Sequence, residues 1–210
     1  TFSSRGLGDV YKRQDGTCIS NSTKLDEDEV VKGISHIENI SIINFEGSGM
    51  VGVPGFSKRF FESLSNYKIN VVMITQASSE FSICIAVNSD DAKLAKQVID
   101  KEFEFEISQK RINKAHIENN LSNIAIVGDK MKSKKGISGK LFSSLGHNNI
   151  NIRAIAQGAS ERNISIIIDK KNTSRALNSL HETFFEDNLK DIHIFITGVG
   201  NVGGLSLIHI

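Results

Sequence analysis

The sequence predicts an α+β fold in which two βαββαβ units pack as a pair and exchange strands. The segment INVVMITQASSE (69–80) returns as INIRAIAQGASE (150–161), and we call the spacing from Ile69 to Ile150 the repeat offset. At the same offset, GFSKRFFESL (55–64) lies over GISGKLFSSL (136–145). Strand-length apolar runs and helical apolar spacing follow the same order in both copies. A long period that occurs twice indicates a duplicated domain, because a solenoid needs three or more short repeats.

Composition sets the broad class of the protein. The chain has 210 residues, 39% of them hydrophobic and 23% charged, which is enough for one or two small cores. The formal net charge of +1 gives no overall attraction to nucleic acid or membrane. No apolar run approaches the roughly 18 residues of a membrane span, and no signal peptide opens the chain. Cys18 and Cys84 form neither a disulfide framework nor a zinc pattern, so we expect a reducing, cytoplasmic setting and a core role for Cys84.

The two ends of the chain do not follow the repeat. We interpret residues 1–14 as a non-native leader and residues 205–210 as a non-native tail, because GDVYKRQ and LSLIHI resemble translated adapter sequence. We interpret residues 15–29 as a polar linker, 30–110 as the first domain and 111–190 as the second. On this interpretation the chain is an internal piece of a longer protein.

The first copy has strand, helix and turn signals in a clear order. Runs rich in β-branched residues predict strands, and apolar residues spaced by three or four predict one face of a helix. An aspartate before the second helical run can cap it. The predicted elements are strands 30–37 and 40–45, a helix with Phe56, Phe60, Phe61 and Leu64 inward, strands 69–75 and 81–87, and a helix capped by Asp90 or Asp91 with Ala95, Val98 and Ile99 inward.

The second copy repeats this order. Its predicted elements are strands 112–117 and 123–127, a helix with Ile137, Leu141, Phe142 and Leu145 inward, strands 150–156 and 164–168, and a helix capped by Asn172 or Thr173 with Ala176, Leu177, Leu180 and Phe184 inward.

The order of elements in each copy, ββαββα, becomes the ferredoxin-like βαββαβ arrangement when it is cut one strand later. The leading strand of each copy is then free to lie on the sheet of the other copy. We therefore expect residues 30–37 to complete the second sheet and residues 112–117 to complete the first.

A glycine-rich turn follows the second copy. The apolar strand 192–197 runs directly into GVGNVGG, which contains G-x-G-x-x-G at Gly198, Gly200 and Gly203. After a strand, this spacing predicts the start of a dinucleotide-binding domain, in which glycines let the backbone approach a pyrophosphate. A plain glycine turn is the alternative. Residues 191–204 supply only a strand and a turn, so this piece cannot hold the cofactor.

Both copies carry residues suited to an amino-acid ligand. A carboxylate needs N–H donors, and a glycine-rich loop before a helix N-terminus offers them, at Gly52 and Gly55 in the first copy and at Gly136 in the second. An ammonium needs acceptors, which the amide oxygens of Gln76 and Gln157 provide. Asp129 is a further candidate acceptor. A glutamine can also donate, so its direction stays open, and a polar hairpin residue is the alternative for each.

The motifs ITQASSE, IAQGASE, VVKGISHIEN, VGDKM–KKGIS and GVGNVGG, in this order, resemble the bifunctional aspartokinase–homoserine dehydrogenase family over residues 16–204. The resemblance implies that residues 15–29 hold the end of an aspartokinase domain and a linker, and that residues 30–110 and 111–190 are two ACT regulatory domains. Residues 191–204 would be the first strand and glycine turn of the NAD(P)-binding domain of a homoserine dehydrogenase. The family's threonine-contacting glutamines match Gln76 and Gln157, and the isoleucines two residues earlier match Ile74 and Ile155. The second copy departs at Gly158 and Ala159, so the two sites can differ in affinity.

For function, the family implies feedback inhibition by L-threonine, sensed by an ACT pair that forms a homodimer through its sheets. ATP and NAD(P) would be cofactors of the parent enzyme only, and the piece itself should hold no cofactor and be inactive as kinase or dehydrogenase. No catalytic constellation appears, and the six histidines are not spaced as metal ligands. The effector, the use of both sites, the activity inhibited, the full-length assembly and the choice of NAD or NADP stay open.

Three other interpretations compete with this one. The pair could sense a different amino acid, or it could be a free-standing sensor, although the G-x-G-x-x-G tail argues against the latter. RNA-recognition domains also have βαββαβ order and stack bases on sheet aromatics. The basic loop 130–135 motivates that hypothesis, but aromatic residues occur only at strand ends, at Phe45 and Phe81, so a stacking platform is not expected.

Overall fold

Two long antiparallel strands, β1 (Val31–Glu46) and β4 (His116–Gly128), form the centre of the fold. The computed structural model describes residues 30–76, 81–129, 131, 134–158 and 162–185. All strands belong to one antiparallel sheet in the order β2-β3-β1-β4-β6-β5. The other strands are β2 (Val71–Gln76), β3 (Ser82–Asn88), β5 (Ile152–Gln157) and β6 (Asn163–Asp169).

Helices connect these strands in the predicted order, with one addition. The helices are α1 (Phe56–Asn66), α2 (Ala92–Glu102), α3 (Glu104–Ser108), α4 (Ile137–His147) and α5 (Thr173–Phe185), with 3₁₀ turns at Ser48–Met50 and Lys170–Asn172. The five-residue α3 was not predicted, because it is too short to show a helical period.

The prediction of two separate leading strands in each copy is wrong. Residues 30–37 and 40–45 map onto the single strand β1, and 112–117 and 123–127 map onto the single strand β4, which begins only at His116. The turn expected between them is a bulge. Asn39 and Asn120 adopt left-handed φ angles of 58° and 62°, and the pairing of β1 with β4 shifts register between Ile37 and Ile40. Asparagine tolerates this conformation better than most residues, so each strand bends without ending.

The left-handed asparagines also correct the alignment of the two copies. By sequence, HIEN at 36–39 returns at 116–119, one position short of the repeat offset. The residue that matches Asn39 in conformation is Asn120, which lies at the full repeat offset. The second copy therefore keeps the general spacing at this position, and the apparent HIEN match is one residue out of register.

The predicted exchange of strands is confirmed. The first part of β1 pairs with the end of β4 that belongs to the second copy, from Val31 opposite Gly128 to Ile37 opposite Asn123. Val30 and Val31 pack in the second core. In the other direction, Ile112 and Ile117 pack in or against the first core. Each copy is thus a complete βαββαβ unit only with a segment of the other.

Alternating side chains divide the interior into three cores. The first lies between the sheet and the helices of copy one, the second between the sheet and the helices of copy two. The third, on the opposite sheet face, joins residues from both halves, among them Met73, Ala86, Ala154 and Ile167. Strands β2 and β5 end the strand order at opposite edges, yet they contact each other. The sheet therefore curves until its two halves meet across the third core.

The predicted helix faces are largely confirmed. The first core groups the rings of Phe45, Phe56, Phe60 and Phe103 at centroid distances of 4.6 to 6.5 Å. Phe142 is the exception, since it is 36% exposed. Asp91 is the N-cap residue of α2, but its side chain makes no capping hydrogen bond. No described helix is long and apolar enough to cross a membrane.

Two glycines permit the exchange at the points where the copies cross. A Cβ atom on Gly47 would lie 2.5 Å from both the Arg111 carbonyl oxygen and Ile112 Cα. A Cβ atom on Gly128 would overlap the Val30 carbonyl oxygen. Gly47 and Gly128 are one repeat offset apart. The segments that they contact, which contain Arg111 and Val30, are one repeat offset apart as well. Each copy is therefore crossed by the lead-in segment of the other, and each crossing point requires a glycine.

We predict that Gly128→Ala destabilises the protein by roughly 2–4 kcal/mol, because backbone atoms that cannot rotate away must move to admit the methyl group. Urea unfolding with linear extrapolation measures the change. Gly139→Ala is the matched control, since Gly139 lies within α4 with open space around its Cβ position. It should stabilise the protein by about 0.5–1 kcal/mol. Equal stability of the two variants would contradict the crossing constraint.

Candidate functional site

The first copy holds a shallow cavity between the start of α1 and the end of β2. Its volume is about 220 Å³. Of the predicted effector-binding residues, it brings together Gly55 and Gln76. The lining residues are Met50, Val53, Gly55, Phe56, Ser57, Lys58 and Gln76.

The loop geometry exposes the first amides of α1 to this cavity. Gly55 is the N-cap residue with φ 80°, and Gly52 has φ 67°, so both positions favour glycine. The cap has no side-chain hydrogen bond. Among the described residues, the amides of Ser57 and Lys58 have no backbone acceptor. Uncapped N–H groups at a helix start attract a carboxylate, aided by the helix dipole.

Gln76 approaches the cavity from the sheet. It is the last residue of the edge strand β2 and lies opposite Ile83, whose side chain packs in the first core. Ile74, two residues earlier, is on the same face and is 50% exposed. Both side chains therefore lie on the helix-bearing face of the sheet. The hairpin residues 77–80 are outside the described part of the chain.

The second copy places its predicted residues at equivalent positions. Gln157 ends β5 opposite Ile164, and Ile155 is 44% exposed. Gly136 is the N-cap residue of α4 with φ 92°. Asp129 is exposed and its amide donates to the Val30 carbonyl at 3.0 Å. Residues 130, 132–133 and 159–161 are not described, so a common cavity for these residues stays a prediction.

Five cavity residues were not predicted from the sequence, namely Met50, Val53, Phe56, Ser57 and Lys58. They lie close together around the glycine loop, and proximity to Gly52 and Gly55 was the available signal. At the repeat offset, Lys58 corresponds to Gly139 and Val53 to Lys134. The cation near the first-copy helix start thus has no counterpart at the same position in the second copy.

Chemically, the cavity suits a small zwitterion. The amides of α1 and the Lys58 ammonium can receive a carboxylate. The Gln76 carboxamide can accept from an ammonium or donate to a hydroxyl. Met50, Val53 and Phe56 provide apolar surface for a short side chain. The described lining residues include no carboxylate, so they offer no general acid or base pair of the kind used in hydrolysis.

Arg59 connects α1 to α2 and α3. Its Nε donates to Glu102 Oε1 at 3.0 Å, Nη1 to Glu106 Oε1 at 2.6 Å and Nη2 to the Glu102 carbonyl at 3.0 Å. The guanidinium also lies 4.6 Å from the centroid of the Phe103 ring. The hydrogen bond with Glu106 raises the pKa of Arg59, and the hydrogen bond from Arg59 lowers the pKa of Glu106, although burial opposes both changes.

Cys84 is half-buried against the third core, in agreement with the predicted core role. Burial, with a smaller contribution from the charge of Glu118, raises the pKa of its thiol to about 11. The thiol is protonated near neutral pH, so Cys84 is a poor nucleophile and a poor metal ligand. In the described ranges, no group of three His, Cys, Asp or Glu residues could hold a metal ion.

The geometry argues against the RNA-binding alternative. Phe45 is fully buried in the first core and does not lie on an open sheet face. The face without helices is covered by the third core. Among the described strands, bases therefore have no exposed aromatic platform.

Several predictions concern residues outside the described part of the chain. These are the leader 1–14, the linker 15–29, the strand and glycine turn 191–204 with Gly198, Gly200 and Gly203, and the tail 205–210.

Comparison with protein families matches both halves of the chain. The ACT-domain model aligns with residues 43–103 and again with 124–184. These two ranges are the repeated units whose strands cross in the structure.

Curated relatives and solved structures agree with this match. The chain is 40% identical over 189 residues to a bifunctional aspartokinase/homoserine dehydrogenase of Haemophilus influenzae, covering 90% of this chain and 23% of the relative. It is 39% identical to a chloroplastic Arabidopsis thaliana protein of the same description, covering 86% of this chain and 20% of the relative. The chain therefore spans about a fifth to a quarter of these relatives.

Among solved structures, the ligand-free regulatory subunit of aspartate kinase from Thermus thermophilus superposes with a TM-score of 0.63 at 25% identity. The match covers 73% of this chain and 99% of that subunit.

We predict that Glu106→Gln destabilises the protein by about 0.5–1 kcal/mol at pH 7, the range of a partly exposed ion pair. The folded-state pKa of Glu106 lies below its unfolded value. Its stabilising contribution is therefore complete above the unfolded pKa, about 4.3, and is lost as the pH falls through the folded pKa. Urea unfolding between pH 7 and pH 3 should show the gap between wild type and variant closing in acid.

Glu104→Gln is the control for this measurement, because Glu104 is exposed on the same helix and has no ion pair among the described residues. It should change stability little at any pH. A Glu106→Gln effect that does not depend on pH would contradict the assigned role of the ion pair.

Proposed function

The chain belongs to the ACT-domain family and is homologous to the regulatory regions of aspartokinases and bifunctional aspartokinase/homoserine dehydrogenases, and on that premise we propose that it senses L-threonine for such an enzyme. The observation that carries this proposal is the cavity in which Gln76 faces the uncapped start of α1. We choose L-threonine as the effector because the family's threonine-contacting glutamines match Gln76 and Gln157 of this chain.

The proposed binding mode uses each side of the cavity for one part of the ligand. The carboxylate of threonine accepts from the amides of Ser57 and Lys58, with the Lys58 ammonium close by. Its ammonium or hydroxyl group contacts the Gln76 carboxamide. Its methyl group packs on the apolar side formed by Val53 and Phe56. Each group of a small hydroxylated amino acid then has a partner.

The proposed output is a shift between two arrangements of the ACT pair. A ligand shifts such an equilibrium only by its difference in affinity for the two states. A tenfold difference supplies about 1.4 kcal/mol, so occupancy of both copies in each chain sharpens the response. In the parent protein the response would regulate aspartokinase, which uses ATP, and homoserine dehydrogenase, which uses NAD(P). The piece itself should catalyse neither reaction.

The cellular setting is part of the proposal. We expect a cytoplasmic setting, because the two cysteines of the chain form no disulfide framework, whereas the Arabidopsis relative is described as chloroplastic. The binding chemistry proposed for the cavity is the same in either compartment.

We predict that titration calorimetry detects saturable binding of L-threonine, with L-serine weaker and L-lysine absent. Gln76→Ala should weaken binding about tenfold, because a hydrogen bond to a charged ligand group contributes about 1.5 kcal/mol. Gln157→Ala should reduce affinity or stoichiometry at the second copy. Gln97→Ala removes an exposed glutamine on α2 and is the matched control with unchanged binding.

Two outcomes would contradict this assignment. Failure of the folded chain to bind threonine would remove the proposed sensor function from this region. Selective binding of another amino acid that still depends on Gln76 would keep the site and replace the effector.

We also propose that two copies of the chain pair through their sheet edges. Among the described strands, β2 and β5 are hydrogen-bonded on one side only, and each exposes an isoleucine, Ile74 at 50% and Ile155 at 44%. An open edge with apolar side chains is a template for pairing with another strand. The predicted effector residues would then lie at the subunit boundary.

Sedimentation velocity tests the proposed homodimer. The wild-type chain should sediment as a dimer, and the double variant Ile74→Lys, Ile155→Lys as a monomer, because lysine on an edge strand opposes pairing. Leu94→Lys is the control, since Leu94 is 39% exposed on α2 away from both edges. A wild type that stays monomeric as its concentration rises would exclude the dimer.

A further inference from the structure

Two equivalent rows of side chains meet at the third core, one from each half of the sheet. Residues directly opposite each other on neighbouring strands lie on the same face of a sheet. In the first half, the row across β2, β3, β1 and β4 is Met73, Ala86, Ile42 and Glu118. In the second half, the row across β5, β6, β4 and β1 is Ala154, Ile167, Asn123 and Ile37. Each residue of one row is one repeat offset from its counterpart in the other.

Asn123 differs in chemistry from its counterpart in the first row. That counterpart, Ile42, is 5% exposed and packs in the third core. Asn123 is 7% exposed, and Ile167, opposite it on β6, packs in the same core. The Oδ1 atom of Asn123 is buried and has no hydrogen-bond partner among the described residues. A buried carbonyl oxygen without a donor is unfavourable, because water would supply one. The Asn123 carboxamide therefore opposes closure of the third core.

The rows also differ at the ends that lie on β4 and β1. Glu118, at the end of the first row, forms an ion pair with Arg153 of β5 at 3.2 Å, which connects the two halves. The counterparts of these two residues are Ile37 and Val72, which cannot form an ion pair. Ile37 lies opposite Asn123 and is 49% exposed. The contact between the halves is therefore weaker beside Asn123 than beside Glu118.

Strands β1 and β4 form a hinge between the halves. They are the two described strands that pair in both halves, and each bends at a left-handed asparagine, Asn39 or Asn120. Strands β2 and β3 pair only in the first half, and β5 and β6 only in the second. A rotation at the two bends separates the rows and keeps the pairing of β2 with β3 and of β5 with β6. The third core can thus open without global unfolding.

We propose that the third core is an interface that opens and closes, and that the unpartnered carboxamide of Asn123 sets how often it opens. Burial of the apolar side chains of both rows favours the closed arrangement. Hydration of the Asn123 carbonyl oxygen favours the open arrangement. Because the two contributions oppose each other, the arrangements lie close in free energy, and a ligand that prefers one of them shifts their populations.

The opening gives the ACT pair its two arrangements, and this regulatory role rests on the proposed function. Met73 lies on β2 three residues before Gln76, and Ala154 lies on β5 three residues before Gln157. Movement of either row therefore moves a strand that ends at a predicted effector residue. An effector held by these glutamines changes the opening if it binds one arrangement more tightly.

Labelling of a single buried thiol measures the opening. Cys18→Ser and Cys84→Ser remove both native thiols, and Ala86→Cys introduces one in the first row. Ala86 is 0% exposed, and its counterpart is the larger Ile167, so the position suits a cysteine. A thiol there reacts only when the third core opens. A rate that changes little at low urea reports local opening, because global unfolding exposes more surface and accelerates steeply with urea.

In this background, Asn123→Ile should slow labelling at least about fivefold, because it removes the buried carbonyl. Fivefold is about 1 kcal/mol at about 1.4 kcal/mol per tenfold. Ile42→Asn should accelerate labelling at least about fivefold, because it adds a second buried carboxamide. Asn163→Ile is the matched control with an unchanged rate, since Asn163 is exposed on the same face at the start of β6. Circular dichroism reports that each variant is folded.

Three results would overturn the proposal. The first is labelling that follows global unfolding at every urea concentration, because the third core would then have no local opening. The second is an unchanged rate in Asn123→Ile, and the third is an equal change in Asn163→Ile. If Ile42→Asn does not fold, the comparison of Asn123→Ile with its control decides alone.

Threonine distinguishes this proposal from the proposed function. A labelling rate that responds to L-threonine, and that loses the response in Gln76→Ala, supports both. A rate that depends on Asn123 but not on threonine contradicts the sensor function and supports the opening of the third core.

Discussion

The fold depends on two close approaches of backbone to backbone, at Gly47 and Gly128. At each, the strand of one copy ends against the lead-in segment of the other, with hydrogen bonds from Gly49 N to Arg111 O at 2.9 Å and from Asp129 N to Val30 O at 3.0 Å. A side chain at either glycine would push these segments apart where the two halves of the single sheet join. Because each core contains residues supplied by the other copy, the two halves cannot complete their cores separately.

Polar contacts across the shared strands add to this connection. Arg153 on β5 forms ion pairs with Glu118 and Asp169, both at 3.2 Å. Lys170 donates to Asn39 Oδ1 at 2.7 Å, beside the bulge of β1. Exposed pairs of this kind contribute little stability individually. Their position matters more than their strength. Arg153 links β5, the edge strand that ends at Gln157, to Glu118 on β4. A displacement of β5 must therefore change contacts made by β4.

The two copies share one backbone arrangement, but the side chains between their helices differ. Aromatic rings and Arg59 fill the space under α1 and α2. Between α4 and α5 the contact is polar, with the Ser144 and Ser179 hydroxyls 2.5 Å apart and Asn148 and Thr183 bonded to them. Such differences give the two halves of one backbone arrangement different side-chain chemistry.

The repeat in the sequence was sufficient to predict the order of elements and the exchange, because apolar periodicity and a constant repeat offset are strong signals. Strand continuity through Asn39 was not predictable, since a bulge and a turn have similar local composition. The short α3 depends on a tertiary contact with Arg59 rather than on local periodicity. Of the cavity, the sequence predicted Gly55 and Gln76, whereas Lys58 joins them only through the orientation of α1.

Shared strands also constrain how such a protein can evolve. Loss of one copy would leave the other with an incomplete sheet and with a glycine that faces no partner backbone. Recombination that inserts a third copy would meet the same obstacle, because every unit already uses a strand from its neighbour. Loss or gain of a single copy is therefore unfavourable for folding, whereas point substitutions can make the two halves differ, as Lys58 and Gly139 do at equivalent positions.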